Sequence, residues 1–387
     1  MRITTPRWTP GNGASRAVAL EVLIHGPMSR SEVARRLDLS PGSLTRLSTP
    51  LLESGLLVNV GEHVDGKVGR PSQLIDVVPS SKRFIGMKLT AEEVLGVTTD
   101  LRANVLAAAA ERLMSREPAK VVDTIAELTA RLVEGTPQVT ALGIGVGGLL
   151  GEHGQVRSAP FLGWTDVPLG AMVEKRTGIP TIIENDLIAF TEYEHWFGAG
   201  RGLDRFAVLT LGAGIGYGLV IHDKIVASED FGIGLVGHWP LDPFGPVCSE
   251  GHRGCAKAVL TDTAITQAVS HALGRTVTYQ AALDLASSGE AAARRVVDDA
   301  GRGLGRMLAA VANLTMPQTV VLGGEGVRLA AVAAEAVQEG LRQDRDPRTE
   351  PLPLTVRSGD NTEWCRGAAV VAIQTFVLGR RSGEPGE

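Results

Sequence analysis

The sequence predicts an α/β protein with a small N-terminal helical head carrying a β-wing, followed by a larger body of mixed sheets covered by helices. Three observations carry that prediction. The first 80 residues hold three helical segments with start and stop signals, then two β-like runs around a glycine-rich turn. Beyond them, short apolar runs alternate with helical periodicity. The composition is that of a compact fold: 387 residues, 44% hydrophobic, 21% charged and rich in glycine, with 47. At roughly 150 residues per domain this length makes two to three domains. No stretch of membrane-spanning length is free of polar residues or glycine clusters, so no membrane partner is expected. The segment Met1 to Pro10 has no apolar region or cleavage site, and three cysteines (Cys248, Cys255, Cys365) cannot form a disulfide framework. A cytoplasmic protein is expected. The net charge of −5 is unevenly spread: residues 1–80 hold nine Lys/Arg against seven Asp/Glu, a balance of +2, which leaves −7 for the other 307. A mildly basic head on an acidic body admits a polyanion at the N-terminal end.

The head reads element by element. Ala14 to His25 places Val18, Leu20, Val22, Leu23 and Ile24 near helical spacing and stops at Gly26-Pro27. Ser29-Arg-Ser-Glu32 is a capping box opening a second short helix, with Val33, Ala34 and Leu37 on its buried face. Ser40-Pro41 supplies an N-cap with proline at the first helical position, and Leu44, Leu47, Leu51 and Leu52 form the inner face of a third helix that Pro50 should kink or end. Two short helices and a tight turn, then a helix whose first turns hold Ser43, Thr45 and Arg46, are the arithmetic of a helix-turn-helix. Hydroxyls there reach phosphates or base edges, and a guanidinium forks onto guanine. Leu56 to Val78 reads as a two-stranded wing, with Lys67 and Arg70 placed for phosphates or the minor groove. Arg2 and Arg7 read as a tail.

Past a linker at Pro79-Ser-Ser-Lys82 the β-like runs are Phe84 to Leu89, Val94 to Thr99, Ala141 to Val146, Thr181 to Ile183, Phe206 to Leu211, Gly216 to His222 and Thr319 to Leu322. Ala119 to Leu132 and Ala291 to Leu314 are helical. Two domains follow, 1–80 and 81–387. The head segment SRSEVARRLDLSPGSLTRLSTPLLESGLL and the wing ending GRPSQLIDVVP, joined to this glycine-rich body, resemble the ROK family of repressors, open reading frames and sugar kinases, its repressor branch in particular. The resemblance spans essentially the whole chain. It implies a winged helix-turn-helix head on a two-lobed, actin-like (ribonuclease-H-like) body.

Four constellations lie on that body. The glycine turns Leu211-Gly-Ala-Gly-Ile-Gly-Tyr-Gly218 and Leu322-Gly-Gly-Glu325 bring backbone amides near an anion, or serve as tight turns only; the resemblance makes them the family's phosphate and nucleotide turns. Family kinases open the body with Asp, Gly and Thr to place magnesium and wrap phosphate. The matching positions here are Lys88, Thr90 and Glu92. A carboxylate within about 4 Å of phosphate oxygens costs on the order of several kcal/mol at moderate dielectric, so no ATP turnover is expected. The sugar motif of the family survives as Asn185-Asp186 after Glu184, but Phe161 replaces an amide in Ala159-Pro-Phe-Leu-Gly-Trp164, and Leu235 and Lys257 replace two carboxylates. These losses leave a carbohydrate-like effector around Phe161, Asn185, Asp186 and His238, an altered mode of binding, or a vestigial site. Finally, the family's zinc knuckle of one histidine and three cysteines aligns with His238, Cys248 and Cys255, with Glu250 where the middle cysteine stands. A glutamate oxygen can ligate zinc, and His252 is an alternative donor; the lost thiolate lowers affinity.

The reading is a DNA-binding transcription regulator, a repressor, acting as a homodimer or homotetramer on double-stranded operator DNA through Ser40, Ser43, Thr45, Arg46, Lys67 and Arg70. The alternatives are a sugar kinase with an appended domain and a constitutive DNA-binding regulator with a vestigial cleft.

Overall fold

The computed structural model describes residues 13–63, 72–134, 138–228, 230–232 and 234–379. In the head, α1 (Gly13–His25) precedes a short strand β1 (Met28–Ser29), α2 (Arg30–Arg36) and α3 (Pro41–Glu53), then β2 (Leu57–His63) and β3 (Ser72–Val77). The three strands form an antiparallel sheet in the order β1-β3-β2. Both expected caps form: Ser29 Oγ accepts from the Glu32 amide at 3.2 Å, and Ser40 Oγ from the Ser43 amide at 3.1 Å. The capping box is half made, because the Glu32 carboxylate lies at Arg36 Nε (3.5 Å) and Arg35 Nη2 (3.7 Å). The third helix does not end at Pro50 but runs on to Glu53. A proline costs one donor to the residue four back, and this helix sits on its buried face through Leu44, Leu47 and Leu51, which outweighs that loss.

The first lobe follows a single turn of 3-10 helix at Pro79–Ser81. Strands β4 (Arg83–Leu89), β5 (Glu93–Thr99) and β6 (Val105–Arg112) form an antiparallel meander; α4 (Pro118–Val133) then leads to β7 (Val139–Val146). A small hairpin layer, β8 (Leu149–Leu150), β9 (Val156–Ala159) and β10 (Trp164–Val167), precedes α5 (Leu169–Thr177), β11 (Thr181–Asn185) and α6 (Asp186–Trp196). The five main strands are ordered β11-β7-β4-β5-β6, with β4, β7 and β11 parallel.

The second lobe repeats that plan. Strands β12 (Arg205–Leu211), β13 (Ile215–Ile221) and β14 (Lys224–Ile225) make the meander, and α7 (Ala256–Leu260), α8 (Asp262–Leu273), α9 (Tyr279–Ser287) and the long α10 (Ala291–Thr315) follow. Parallel strands β15 (Val320–Gly323) and β16 (Leu354–Val356) flank α11 (Arg328–Val332) and α12 (Ala334–Gln343). The order β14-β13-β12-β15-β16 matches the first sheet strand for strand. A duplicated sheet of three antiparallel and two parallel strands is the actin-like plan.

The chain then returns as α13 (Thr362–Phe376) to complete the first unit. There are two compact units: the described residues of Met1–Phe197 with Trp364–Glu387, and Gly198–Glu363. The head shares one apolar core with the first lobe, in which Val18, Val22 and Leu23 of α1 join Phe84, Trp196, Val370 and Ile373. A polar clamp reinforces it. Arg102, in the β5–β6 turn, donates from Nε to Leu23 O (3.1 Å) and from Nη2 to Gly26 O and Val22 O (both 3.1 Å), the last of which also accepts from the Gly26 amide (2.9 Å) at the end of α1. The same guanidinium grips both carboxylate oxygens of Asp76, a buried residue of β3.

Replacing Arg102 with Leu strands the Asp76 charge together with the Leu23 and Gly26 carbonyls. The head is expected to lose about 3 kcal/mol of protection against local unfolding, read as faster hydrogen exchange in α1 and β3 with α10 unaffected.

Candidate functional site

On the head, Ser40, Thr45 and Arg46 are exposed and Ser43 is half-buried, all on the N-terminal turns of α3. The hydroxyls are locally engaged: Ser40 Oγ donates to Ser43 Oγ at 2.9 Å and Thr45 Oγ1 to Pro41 O at 3.0 Å. Arg46 points away from the leucine face. Lys67, Arg70, Arg2 and Arg7 lie outside the described residues.

In the first unit, Asn185 ends β11 and caps α6. Its Oδ1 accepts from the amides of Leu187 (3.0 Å) and Ile188 (3.2 Å), and its Nδ2 donates to Gly148 O (3.0 Å). At 4% exposure this side chain builds the site, tying the turn after β7 to the start of α6. The half-buried Asp186 carboxylate lies beside Gly147, where an added Cβ would stand 3.5 Å from Oδ2. Lys88 pairs with Gly145 across β4 and β7; its ammonium lies 3.8 Å from the centroid of Trp364, which stacks on Phe190 of α6 at 4.7 Å. A buried cation therefore stands on the strand where family kinases place a carboxylate. The following turn is closed by its own side chain, since Thr90 Oγ1 accepts from the amides of Glu92 (3.3 Å) and Glu93 (3.1 Å) and donates to Glu93 O (3.0 Å). Glu92 itself faces Arg116 at 3.6 Å. Phe161 is half exposed in the β9–β10 loop.

His238, the fourth residue read as an effector contact, belongs to the second unit. There it closes a 3-10 turn, Leu235–His238, and faces the loop 246–255. That loop is folded by its backbone: the Cys248 amide donates to His252 O (2.9 Å) and the Gly251 amide to Cys248 O (3.0 Å). Gly254 has φ +56°, and a Cβ there would collide with Asp242 O at 1.5 Å, so glycine is required. The result is a converging trio. Cys248 Sγ stands 3.9 Å from His238 Nδ1 and 3.6 Å from His252 Nδ1, with all three donor atoms within 4.8 Å of one another. Tetrahedral zinc with Zn–S of about 2.3 Å and Zn–N of about 2.0 Å separates sulfur from nitrogen by about 3.5 Å, so the donors fit such an ion with one position left open.

Glu250 is not in the trio. Its carboxylate accepts from Lys257 Nζ at 2.6 Å and Ser249 Oγ at 2.7 Å, and those two bonds, the lysine first, hold its pKa down at about 2. Cys255 is buried at the base of the knuckle, next to Cys248, and burial pushes its thiol up. The two departures noted in the sequence, glutamate for cysteine and lysine for glutamate, thus answer each other as one ion pair. Alignment placed Glu250 in the ligand set with His252 as the substitute; the lysine seven residues on from Glu250 is the signal that favours His252.

Residues 86–375 match the model of the ROK family. The chain belongs to the ROK family. It is 25% identical over 364 residues to the DNA-binding transcriptional repressor Mlc of Escherichia coli K12, covering 89% of each chain. The glucokinase of Thermotoga maritima is 36% identical over 221 residues, which is 53% of this chain and 69% of the kinase. A crystal structure of a ROK family transcriptional regulator, a homologue of the E. coli MLC protein, superposes with a TM-score of 0.78 at 22% identity, covering 95% of this chain and 98% of the other. That likeness covers the head as well as the body, and the duplicated five-stranded sheets are the ROK fold.

The Glu250 carboxylate ordinarily titrates near 4.5 and here near 2, so its pairing with Lys257 favours the fold above the ordinary value and is lost as pH falls through 2. Lys257→Ala is expected to return the Glu250 titration, followed by carboxyl-carbon NMR, toward 4.5.

Proposed function

We propose that this ROK protein is a DNA-binding transcription regulator, a repressor, whose head reads operator DNA and whose body answers to a carbohydrate-like effector. The observation that carries the proposal is coverage. The match to the repressor runs over 89% of both chains, whereas the match to the glucokinase stops at 53% of this one. The chemistry agrees: Lys88 and the self-closed Thr90 turn stand where phosphoryl transfer needs a carboxylate for magnesium and free amides for phosphate. The reading is therefore of a regulator without ATP turnover.

Ser40, Ser43, Thr45 and Arg46 present hydroxyls and a guanidinium on the first turns of α3, the part of a recognition helix that enters the major groove. Lys67 and Arg70 complete the reading as wing contacts to phosphate. Two heads on a homodimer read half-sites about 34 Å apart, one helical turn of DNA. Among the described residues no helix is long and apolar enough to cross a membrane. A DNA target places the work in the cytoplasm.

Asp186 and the exposed Phe161 offer an acceptor and an apolar face to the effector, with Asn185 holding the turn that presents them. Helix α6 starts at Asp186 and ends at Trp196, inside the core it shares with α1. Arg366 of α13 lies 4.3 Å over Tyr193 of α6 and donates to Ala103 O at 2.7 Å, next to the Arg102 clamp on the head. A ligand that prefers one setting of α6 then biases the head through packed groups, as a population shift requires. His238, Cys248 and His252 are proposed to hold zinc, which when bound would fasten the 238–255 loop.

The test is genome-wide mapping of bound DNA followed by binding measurements on a recovered site. Arg46→Ala is expected to weaken that binding by about 1–3 kcal/mol, and unchanged affinity would remove α3 as the reader. Elemental mass spectrometry of the purified chain checks the metal. Cys248→Ser and His252→Ala are expected to lose zinc, and Glu250→Gln to keep it.

A further inference from the structure

Strands β12 and β15 run parallel, Ala207 opposite Val320 through Thr210 opposite Gly323, and both end at the same edge of the second sheet in glycine turns. Turns of this kind at the carboxyl ends of parallel strands leave backbone amides facing outward, a geometry that accepts anions. Here the two turns interlock. The Gly326 amide donates to Leu211 O at 2.8 Å, and Gly324, at φ +89°, would carry a Cβ only 2.3 Å from that same oxygen. Held between these glycines, Glu325 reaches back over the first turn. The Ala213 amide donates to its Oε1 at 3.3 Å, and the carboxyl group covers Gly212, where a Cβ would stand 2.3 Å from Oε1 and 2.4 Å from Cδ.

We infer that Glu325 is a built-in anion occupying the Gly212–Gly214 turn, so that the second unit takes no phosphate-bearing ligand there while that carboxylate is in place. A tethered group competes at an effective concentration on the order of millimolar, which a free phosphate ester must exceed. The surroundings add to the exclusion. Asp262 donates its amide to Gly212 O at 3.1 Å and brings a second carboxylate to the rim. Tyr279, whose hydroxyl donates to Gly326 O at 2.8 Å, has its phenol pushed well up by burial and then by the Asp262 charge, with Glu325 adding to it. The cation two residues beyond the turn, Arg328, is committed to Asp284 and, at 2.8 Å, to Gln280 Oε1. This closure is separate from the Lys88 substitution in the first unit and does not depend on the DNA-binding role.

Calorimetric titration of the full-length wild type, Glu325→Ala and Glu325→Gln with inorganic pyrophosphate and with ADP plus magnesium tests it. The alanine variant, which removes charge and bulk, is expected to bind pyrophosphate at least about tenfold more tightly than the wild type, and the glutamine variant, which removes only charge, to gain less. Glu325 is exposed, so both variants are expected to melt with the wild type. Wild-type binding as tight as that of the alanine variant, or no gain in either folded variant, overturns the inference. None of these readouts involves DNA, so a failure here leaves the regulator reading standing, and a failure there leaves this one.

Discussion

The first unit depends on one close approach of backbones. A Cβ on Gly86 of β4 would stand 1.9 Å from Cys365 O, and one on Gly143 of β7 would stand 1.9 Å from Ala368 O. Helix α13 therefore lies directly on the sheet, nearer than any side chain on those strands would permit. It arrives from the far end of the sequence after a whole lobe has been built, and the contact closes the unit by packing. Trp364, at its start, is then in place to stack on α6 and to cover Lys88. Val370 and Ile373, further along, supply the core on which the head rests.

From that contact the character of the site follows. The ROK fold is intact, with α6 capped by Asn185 and the Asp186 carboxylate next to the turn after β7. What differs is where the charges are. An ammonium lies on β4 and the Thr90 hydroxyl fills the turn after it. The Glu92 and Glu93 amides of that turn are satisfied from within the chain, and a satisfied amide does not exchange a tethered partner for a free one without loss.

The knuckle shows the same economy of charge. Glu250 and Lys257 form an exposed ion pair that holds the loop at one corner. Exposed pairs contribute little energy on their own. The effect of this one is geometric, because it keeps Glu250 away from the trio and leaves His238, Cys248 and His252 as the converging donors.

Much of this was legible from residues alone, wherever the deciding contacts are local. Ser40-Pro41 opens α3 and Ser29 caps α2 because a cap is settled within four residues. Strands β4, β5, β12 and β13 and the glycine turns show in the alternation of apolar runs, whereas the largely exposed, alanine-rich β6 does not; the family resemblance shows in the head and wing segments. Other features were out of reach of any local pattern. Pro50 passes through α3 because of leucines packed on the core. Asn185 reads as an effector contact in one dimension; the fold adds that its side chain caps α6 and reaches Gly148 O, 37 residues back. The Arg102 clamp spans up to 80 residues and the Glu325 contact 112. Composition, caps and periodicity by themselves determined the head's helices and many of the body's strands, and the resemblance of the head, wing and glycine motifs named the family. Which side chains meet at the clamp, the knuckle and the glycine turn was decided only by sheet register and by the return of α13, since those alone bring distant residues within bonding distance.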